Sequence, residues 1–129
     1  MTLNPVRPIL NEIRISEGTT SIGATPVAAQ AVMPVSGVVQ RCMAGAAGTT
    51  TGTITVAVTI NGGSDICNST LTIAAGTGSR AGTTVELAQI GAGSTSGVIV
   101  NEGDMVTFTP SGGGGASIGG AFAIVLRLT

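Results

Sequence analysis

The 129-residue chain contains no histidine, tryptophan or tyrosine, no lysine, and only two phenylalanines, Phe108 and Phe122. Each absence removes a class of chemistry. Without histidine there is no Ser-His-Asp triad, no Cys-His pair and no histidine-based zinc site. Without tryptophan or tyrosine there is no ready platform on which a base or a sugar ring can stack. Charge is as scarce: charged residues are 9% of the chain and the formal net charge is −1. The basic residues are Arg7, Arg14, Arg41, Arg80 and Arg127, scattered singly rather than gathered into the stripe that holds a phosphate backbone. Neither nucleic acid nor carbohydrate is a favoured partner. No apolar run approaches the roughly 20 residues of a membrane span, so no membrane is expected. The opening MTLNPVRPIL, broken by Pro5 and Pro8, lacks the apolar core of a signal peptide. Maturation in a reducing cytoplasm is therefore expected. Cys42 and Cys67 read as free thiols among small core residues, with a disulfide between them the alternative.

What the chain has is β-branched and small residues. Hydrophobic residues make up 43% of it, which excludes a disordered chain despite 21 glycines. Val, Ile and Thr separated by Gly favour strands, since Gly inside a helix costs about 1 kcal/mol relative to Ala. One domain is expected from residue 9 to residue 129, preceded by an extended arm over residues 1–8. Period-two alternation is clearest over Thr53 to Ile60, with Ile54, Val56, Val58 and Ile60 on one face. It recurs where Phe122, Ile124, Leu126 and Leu128 alternate with Ala121, Ala123, Val125 and Arg127. Val106 and Phe108 share a face opposite Met105, Thr107 and Thr109. The Gly-rich loop between those last two segments predicts that they pair antiparallel and bring both phenylalanine rings into one core. Ile9, Ile13 and Ile15 share a face against Leu10, Glu12 and Arg14 and mark a first strand. Residues 16–26 read as loop, Val27 to Met33 as strand or helical turn, and Val38 to Ala44 as a strand with Arg41 and Cys42 on opposite faces. Asn61-Gly62 marks a tight hairpin turn, because both central positions require positive φ. A return strand from Asp65 through Leu71 and Ile73, and a further strand over Thr83 to Ile90, bring the count to about eight, separated by turn signals as in a β-sandwich or jelly roll.

Motifs with chemical meaning are few. Gly76 to Gly82, GTGSRAG, has the wrong glycine spacing for a dinucleotide site and lacks the lysine of a phosphate loop. Gly93 to Gly97 places Thr95 where a nucleophile elbow needs serine, with no base to activate it. Glu102 and Asp104 flank Gly103 and offer either a pair of carboxylates for calcium or a turn closed by an Asx-type hydrogen bond, of which the turn is favoured. Asn68-Ser69-Thr70 matches a glycosylation sequon, which is empty without secretion. No catalytic, cofactor-binding or metal-ligating residue is assigned. The arm is the one candidate binding element: between and beside its prolines stand Leu3, Val6, Arg7 and Ile9, on a stretch too stiff to fold back on itself and suited to reach a neighbouring subunit.

The order of segments from Ala31 to Thr129 is PVSGVVQRCMA, GTITVAVTINGG, STLTIAAGTGSRAGTTVEL and VNEGDMVTFTPSGGGGASIGGAFAIVLR. It resembles the small decoration proteins (cement or head-fibre-like) of tailed-bacteriophage capsids. In these an early strand ends in a Gly-Val-Val turn, a Thr/Val hairpin ends in Asn-Gly, a Gly-Asp turn starts a strand, and a final apolar strand closes the fold. The resemblance implies a jelly-roll-like antiparallel sandwich made in the host cytoplasm. It further implies a homodimer or homotrimer on the outer surface of the virion, stapling neighbouring major capsid protein subunits. It transfers no interface residue, since these motifs are general β-sandwich grammar. A competing expectation is a receptor- or glycan-binding sandwich module of a phage fibre; such sites usually carry exposed Trp or Tyr beside carboxylates, and here only Glu102 and Asp104 answer to that. An enzyme would need a nucleophile and base that the chain does not supply.

Overall fold

The computed structural model describes residues 12–67, 71–75, 84–86, 98–115 and 117–128. Among them there is no helix; nine strands form two antiparallel sheets. β1 (Glu12–Thr19), β2 (Ala29–Val32), β3 (Gly37–Ala46), β4 (Ile54–Ile60) and β5 (Leu71–Ile73) are followed by β6 (Thr84–Glu86), β7 (Val98–Val100), β8 (Met105–Ser111) and β9 (Gly120–Leu128). One sheet has the order β1-β9-β3-β6, with β7 also paired to β3; the other has the order β2-β8-β4-β5. β6 takes Arg41 to Met43 of β3 and β7 takes Gly37 to Val39, so the two short strands share one edge.

The inward faces of both sheets contribute to a single core. Val39, Cys42, Phe122, Ile124 and Leu126 come from the first sheet, and Ile54, Val56, Val58, Leu71, Ile73, Val106 and Phe108 from the second. The alternation over β4, β8 and most of β9 has the expected faces, and the architecture is that of a β-sandwich. Two departures occur in β9: Val125 is buried on the opposite face, and Leu128 at the strand end is exposed.

The expected pairing of the two phenylalanine strands is overturned. β8 lies between β2 and β4 in one sheet, and β9 between β1 and β3 in the other. The glycine run explains it. Gly112, Gly114 and Gly115 have φ of 87°, 57° and 73°, and a Cβ on Gly113 would meet Ile22 O and Ile54 Cγ1 at 2.8 Å each. The chain is thus pressed against the end of the core as it crosses from one sheet to the other, instead of reversing beside itself. The rings nevertheless share the core, stacked across the two sheets with centroids 5.2 Å apart and planes 6° from parallel.

The first strand also runs further than its apolar residues suggest. Ser16, Glu17 and Gly18, expected in a loop, pair with Ala123, Phe122 and Ala121. On the flank of a sheet, a polar residue satisfies the ladder with its backbone and leaves its side chain in water. In β3 a bulge between Val39 and Arg41 inserts Gln40. Val39 lies opposite Leu126 and Cys42 opposite Ile124, three residues against two. Without the extra residue Arg41 would point inward and Cys42 outward.

The Asn61-Gly62 turn has the anticipated backbone, with φ of 52° and 75° and Gly63 N donating to Ile60 O at 3.0 Å. The ladder does not resume at once. Asp65 Oδ1 accepts from Val58 N at 3.1 Å and Cys67 N at 3.0 Å, standing in for a strand carbonyl, and Ile66 N donates to Val58 O at 2.8 Å. Regular pairing of β4 and β5 covers Ile54 to Val56 against Leu71 to Ile73.

Candidate interaction surface

The outward face of the first sheet is built from cross-strand rows. Gly18, Ala121 and Gly45 lie side by side; so do Ser16, Ala123 and Met43, and then Arg14, Val125 and Arg41. Arg127 sits one row further, beside Glu12 and Val38, and Ile99, opposite Val38, is 59% exposed. The small end of this face is a hollow of about 570 Å³ lined by Thr19, Gly45, Ala46, Ala47, Gly119, Gly120 and Ala121. At the other end a second hollow of about 440 Å³ is lined by Glu12, Ile13, Arg14, Arg41, Met43 and Val125. The α-carbons of Arg14 and Arg41 are two strand spacings apart, about 10 Å, with the buried Val125 in register between them. All three arginines among the described residues, Arg14, Arg41 and Arg127, belong to this face.

Gly45 and Gly120 are glycines for different reasons. A Cβ on Gly120 would stand 2.5 Å from Ile22 Cγ2, so the packing of the sandwich excludes one. A Cβ on Gly45 would meet nothing within 4 Å; the folded chain itself places no demand for glycine there. The bare face is open to whatever lies above it.

The Glu102–Asp104 turn is a structural clasp. Asn101 N donates to Asp104 Oδ2 at 2.8 Å and Asn61 Nδ2 to Asp104 Oδ1 at 3.0 Å. Asn61 Oδ1 in turn accepts from Met105 N at 2.9 Å, Gly103 N donates to Met33 O, and Met33 N to Asp104 O. Both carboxylate oxygens of Asp104 are occupied: Oδ2 closes the β7–β8 turn on itself and Oδ1 ties that turn to the β4 turn. The turn favoured from sequence is present, with the carboxylate bonding back to Asn101 rather than forward as in an Asx turn. Glu102 is exposed, with its N–H donating to Ser36 Oγ at 3.0 Å. Among the described residues no three His, Cys, Asp or Glu side chains gather as a metal ion requires.

The hydrogen bond from Asn101, followed by that from Asn61, holds the Asp104 carboxyl below its ordinary range. Between its folded and unfolded pKa values the native state binds fewer protons than the unfolded chain, so the clasp stabilises above the unfolded value and is lost as pH falls through the folded one. Asp104→Ala is expected to lower the melting temperature at pH 7, with the gap to the wild type closing as pH drops below about 4, the ordinary aspartate value. A gap unchanged at the acid end would assign the turn's stability to other groups.

Of the residues singled out in the sequence, Leu3, Val6, Arg7 and Ile9 lie outside the described residues, as do the 76–82 and 93–97 loops and the 68–70 sequon. The outward face with Arg14, Arg41, Met43, Val125 and Gly45 was not anticipated. Its members come from three strands far apart in the chain, and only the register of β1 and β3 on β9 brings them together. The chain matches no known family model and no curated protein.

Proposed function

We propose that the protein is a capsid decoration protein: a structural, non-enzymatic component that binds the outer surface of a tailed-phage head and staples neighbouring major capsid protein subunits. The observation that carries this role is the outward face of the β1-β9-β3 sheet, hollowed and small-residued at one end, arginine-bearing at the other, and open above Gly45. A face of Gly and Ala admits close approach of another surface with few side chains to order and few charges to desolvate. Arg14, Arg41 and Arg127 then suit carboxylates on the coat protein, an attraction that chiefly fixes register.

The strand order supports a jelly roll for this fold. The support is the alternation of the chain between two sheets, β1-β9-β3-β6 and β2-β8-β4-β5, which suits two interleaved Greek keys when β6 and β7 are counted as one position. The three-strand face spans only about 300 Å², from strand spacing and rise, against the roughly 800 Å² that each partner contributes to a standard interface. A homodimer or homotrimer multiplies that contact. The extended arm over residues 1–8 enlarges it, with Leu3, Val6, Arg7 and Ile9 laid along a neighbouring subunit and Pro5 and Pro8 lowering the entropy lost on ordering. In this role the protein is made in the host cytoplasm and resides on the virion exterior.

Co-sedimentation of the purified protein with assembled heads tests the role directly: saturable binding to those heads is expected, and none to an unrelated particle. Removing residues 1–8 should leave the melting temperature nearly unchanged and weaken head binding at least tenfold, about 1.4 kcal/mol. A wild-type chain that stays in the supernatant would end the capsid role. A truncated chain that binds as tightly as the wild type would reduce the arm to a tail.

A further inference from the structure

The arginine-bearing end of the outward face is more than a charged patch. Arg14 on β1 and Arg41 on β3 lie in one cross-strand row, on either side of Val125 of β9. The bulge at Gln40 is what brings Arg41 into that row. Val125 is 4% exposed although it stands on the outer face of its sheet. All three line one hollow of about 440 Å³, with Met43 and Glu12 among its other walls. Glu86 follows Arg41 in the row by register. Among the described residues, neither Arg14 nor Arg41 makes an ion pair or a side-chain hydrogen bond. Two guanidiniums thus share a hollow with a buried apolar floor, and their donors are left for a group from outside.

We propose that this hollow is a carboxylate-binding site. It takes an acidic side chain of a partner protein, with the oxygens between Arg14 and Arg41 and the methylene stem on Val125 and Met43. The site deepens the docking role proposed above and rests on it for the identity of its partner. Arginine suits a carboxylate in particular, because its planar fork donates two parallel hydrogen bonds to the two oxygens. The α-carbons stand about 10 Å apart across the buried valine, a gap that two side chains of arginine's length close from both sides. One carboxylate between them relieves their mutual repulsion and is held by both. The apolar floor selects further. A phosphate ion has nothing to lay against Val125, whereas the stem of a glutamate does, and each methylene taken out of water adds to affinity. Glu12 limits the site from the β1 side: it lines the same hollow, so it opposes a second anion and confines the site to one carboxylate. Arg127 lies one row further, opposite Glu12, and does not line the hollow.

The test is titration of the folded, full-length chain with N-acetylglutamate N-methylamide, followed by NMR chemical shifts, with the matching glutamine derivative as the neutral control. Saturable binding of the glutamate derivative is expected, with shifts at Arg14, Arg41 and Val125, and none with glutamine. Arg14→Gln and Arg41→Gln should each weaken binding by at least about tenfold, the loss of a charge-assisted hydrogen bond. Arg127→Gln should change it by about twofold at most, since it acts only through screened charge. Glu12→Gln should tighten it about threefold, as the removal of a nearby like charge does. Inorganic phosphate should bind more weakly than the glutamate derivative. The site is overturned by absence of saturable binding, by equal binding of the glutamine derivative, or by tighter binding of phosphate. It is overturned equally if Arg14→Gln and Arg41→Gln lose no more than Arg127→Gln. The probe contains no capsid, so this result stands apart from co-sedimentation. Heads that bind both arginine variants as tightly as the wild type would overturn the site and leave the capsid role intact. A chain that binds the probe with this arginine dependence but no heads would keep the site and end that role.

Discussion

Phe122→Ala is expected to destabilise the protein by about 3–5 kcal/mol, the range for emptying a fully buried phenylalanine site. With an unfolding entropy of roughly 2 cal/mol/K per residue, that is a fall of about 10–18 °C in melting temperature. Phe122 is 1% exposed and Phe108 is fully buried; their stacked rings are the largest side chains in the core and connect sheets that share no ladder. Truncating either ring opens a cavity between layers that the strands cannot close without breaking their registers. Phe108→Ala should therefore cost a similar amount. Because both variants empty one shared space, the double substitution should cost less than the two single losses added together. Urea unfolding of the three variants measures this. A loss below about 1 kcal/mol for Phe122→Ala would mean that the layers repack around the gap.

The same two residues mark how far the sequence could be read. Which face of β8 and β9 is buried follows from alternation alone, because side chains on a strand switch sides at every residue. Which strand each one pairs with does not. Alternation constrains the face and leaves the neighbour free, and a Gly-rich connection serves a hairpin as readily as a crossing between sheets. Here the packing of Gly113 against Ile22 and Ile54 decides for the crossing. The Asn61-Gly62 turn was legible because its backbone requirement is local. The substitution of Asp65 for a ladder carbonyl was not, since it depends on a partner seven residues away whose N–H is left over only in the folded register. The bulge at Gln40 is a further case. Nothing in GVVQRCMA announces an extra residue, yet it decides that Cys42 enters the core and Arg41 leaves it. The proposed docking face depends on that bulge and on two long-range registers, which composition does not contain; the arm drew attention because proline punctuation is visible in the chain itself.

Gly45→Trp should abolish head binding while leaving the fold intact, a separation of effects that a merely structural glycine would not allow. β3 is paired to β9 at this point, with Gly45 opposite Ala121; among the described residues its pairing on the other side ends at Met43. Its backbone is not in the left-handed region, so a side chain there is conformationally ordinary. With nothing within 4 Å of a Cβ, a side chain leaves the strand unobstructed at its first atom, and loss of glycine from a strand is worth roughly 0.5–1 kcal/mol in favour of folding. The melting temperature should hold or rise. The indole would stand over the hollow beside Ala121 and hold a facing surface several ångströms away, beyond the separation at which dispersion and water exclusion act. Binding to heads should fall by more than tenfold, at least about 1.4 kcal/mol per copy, and further where several copies act together. Val32→Trp is the matched control. Val32 is 58% exposed on β2 of the other sheet, so it adds the same ring to the same protein away from the proposed contact and should leave binding unchanged. If Gly45→Trp binds as the wild type does while Val32→Trp does not, the docking face belongs to the four-stranded sheet, and the opening above Gly45 has no part in it.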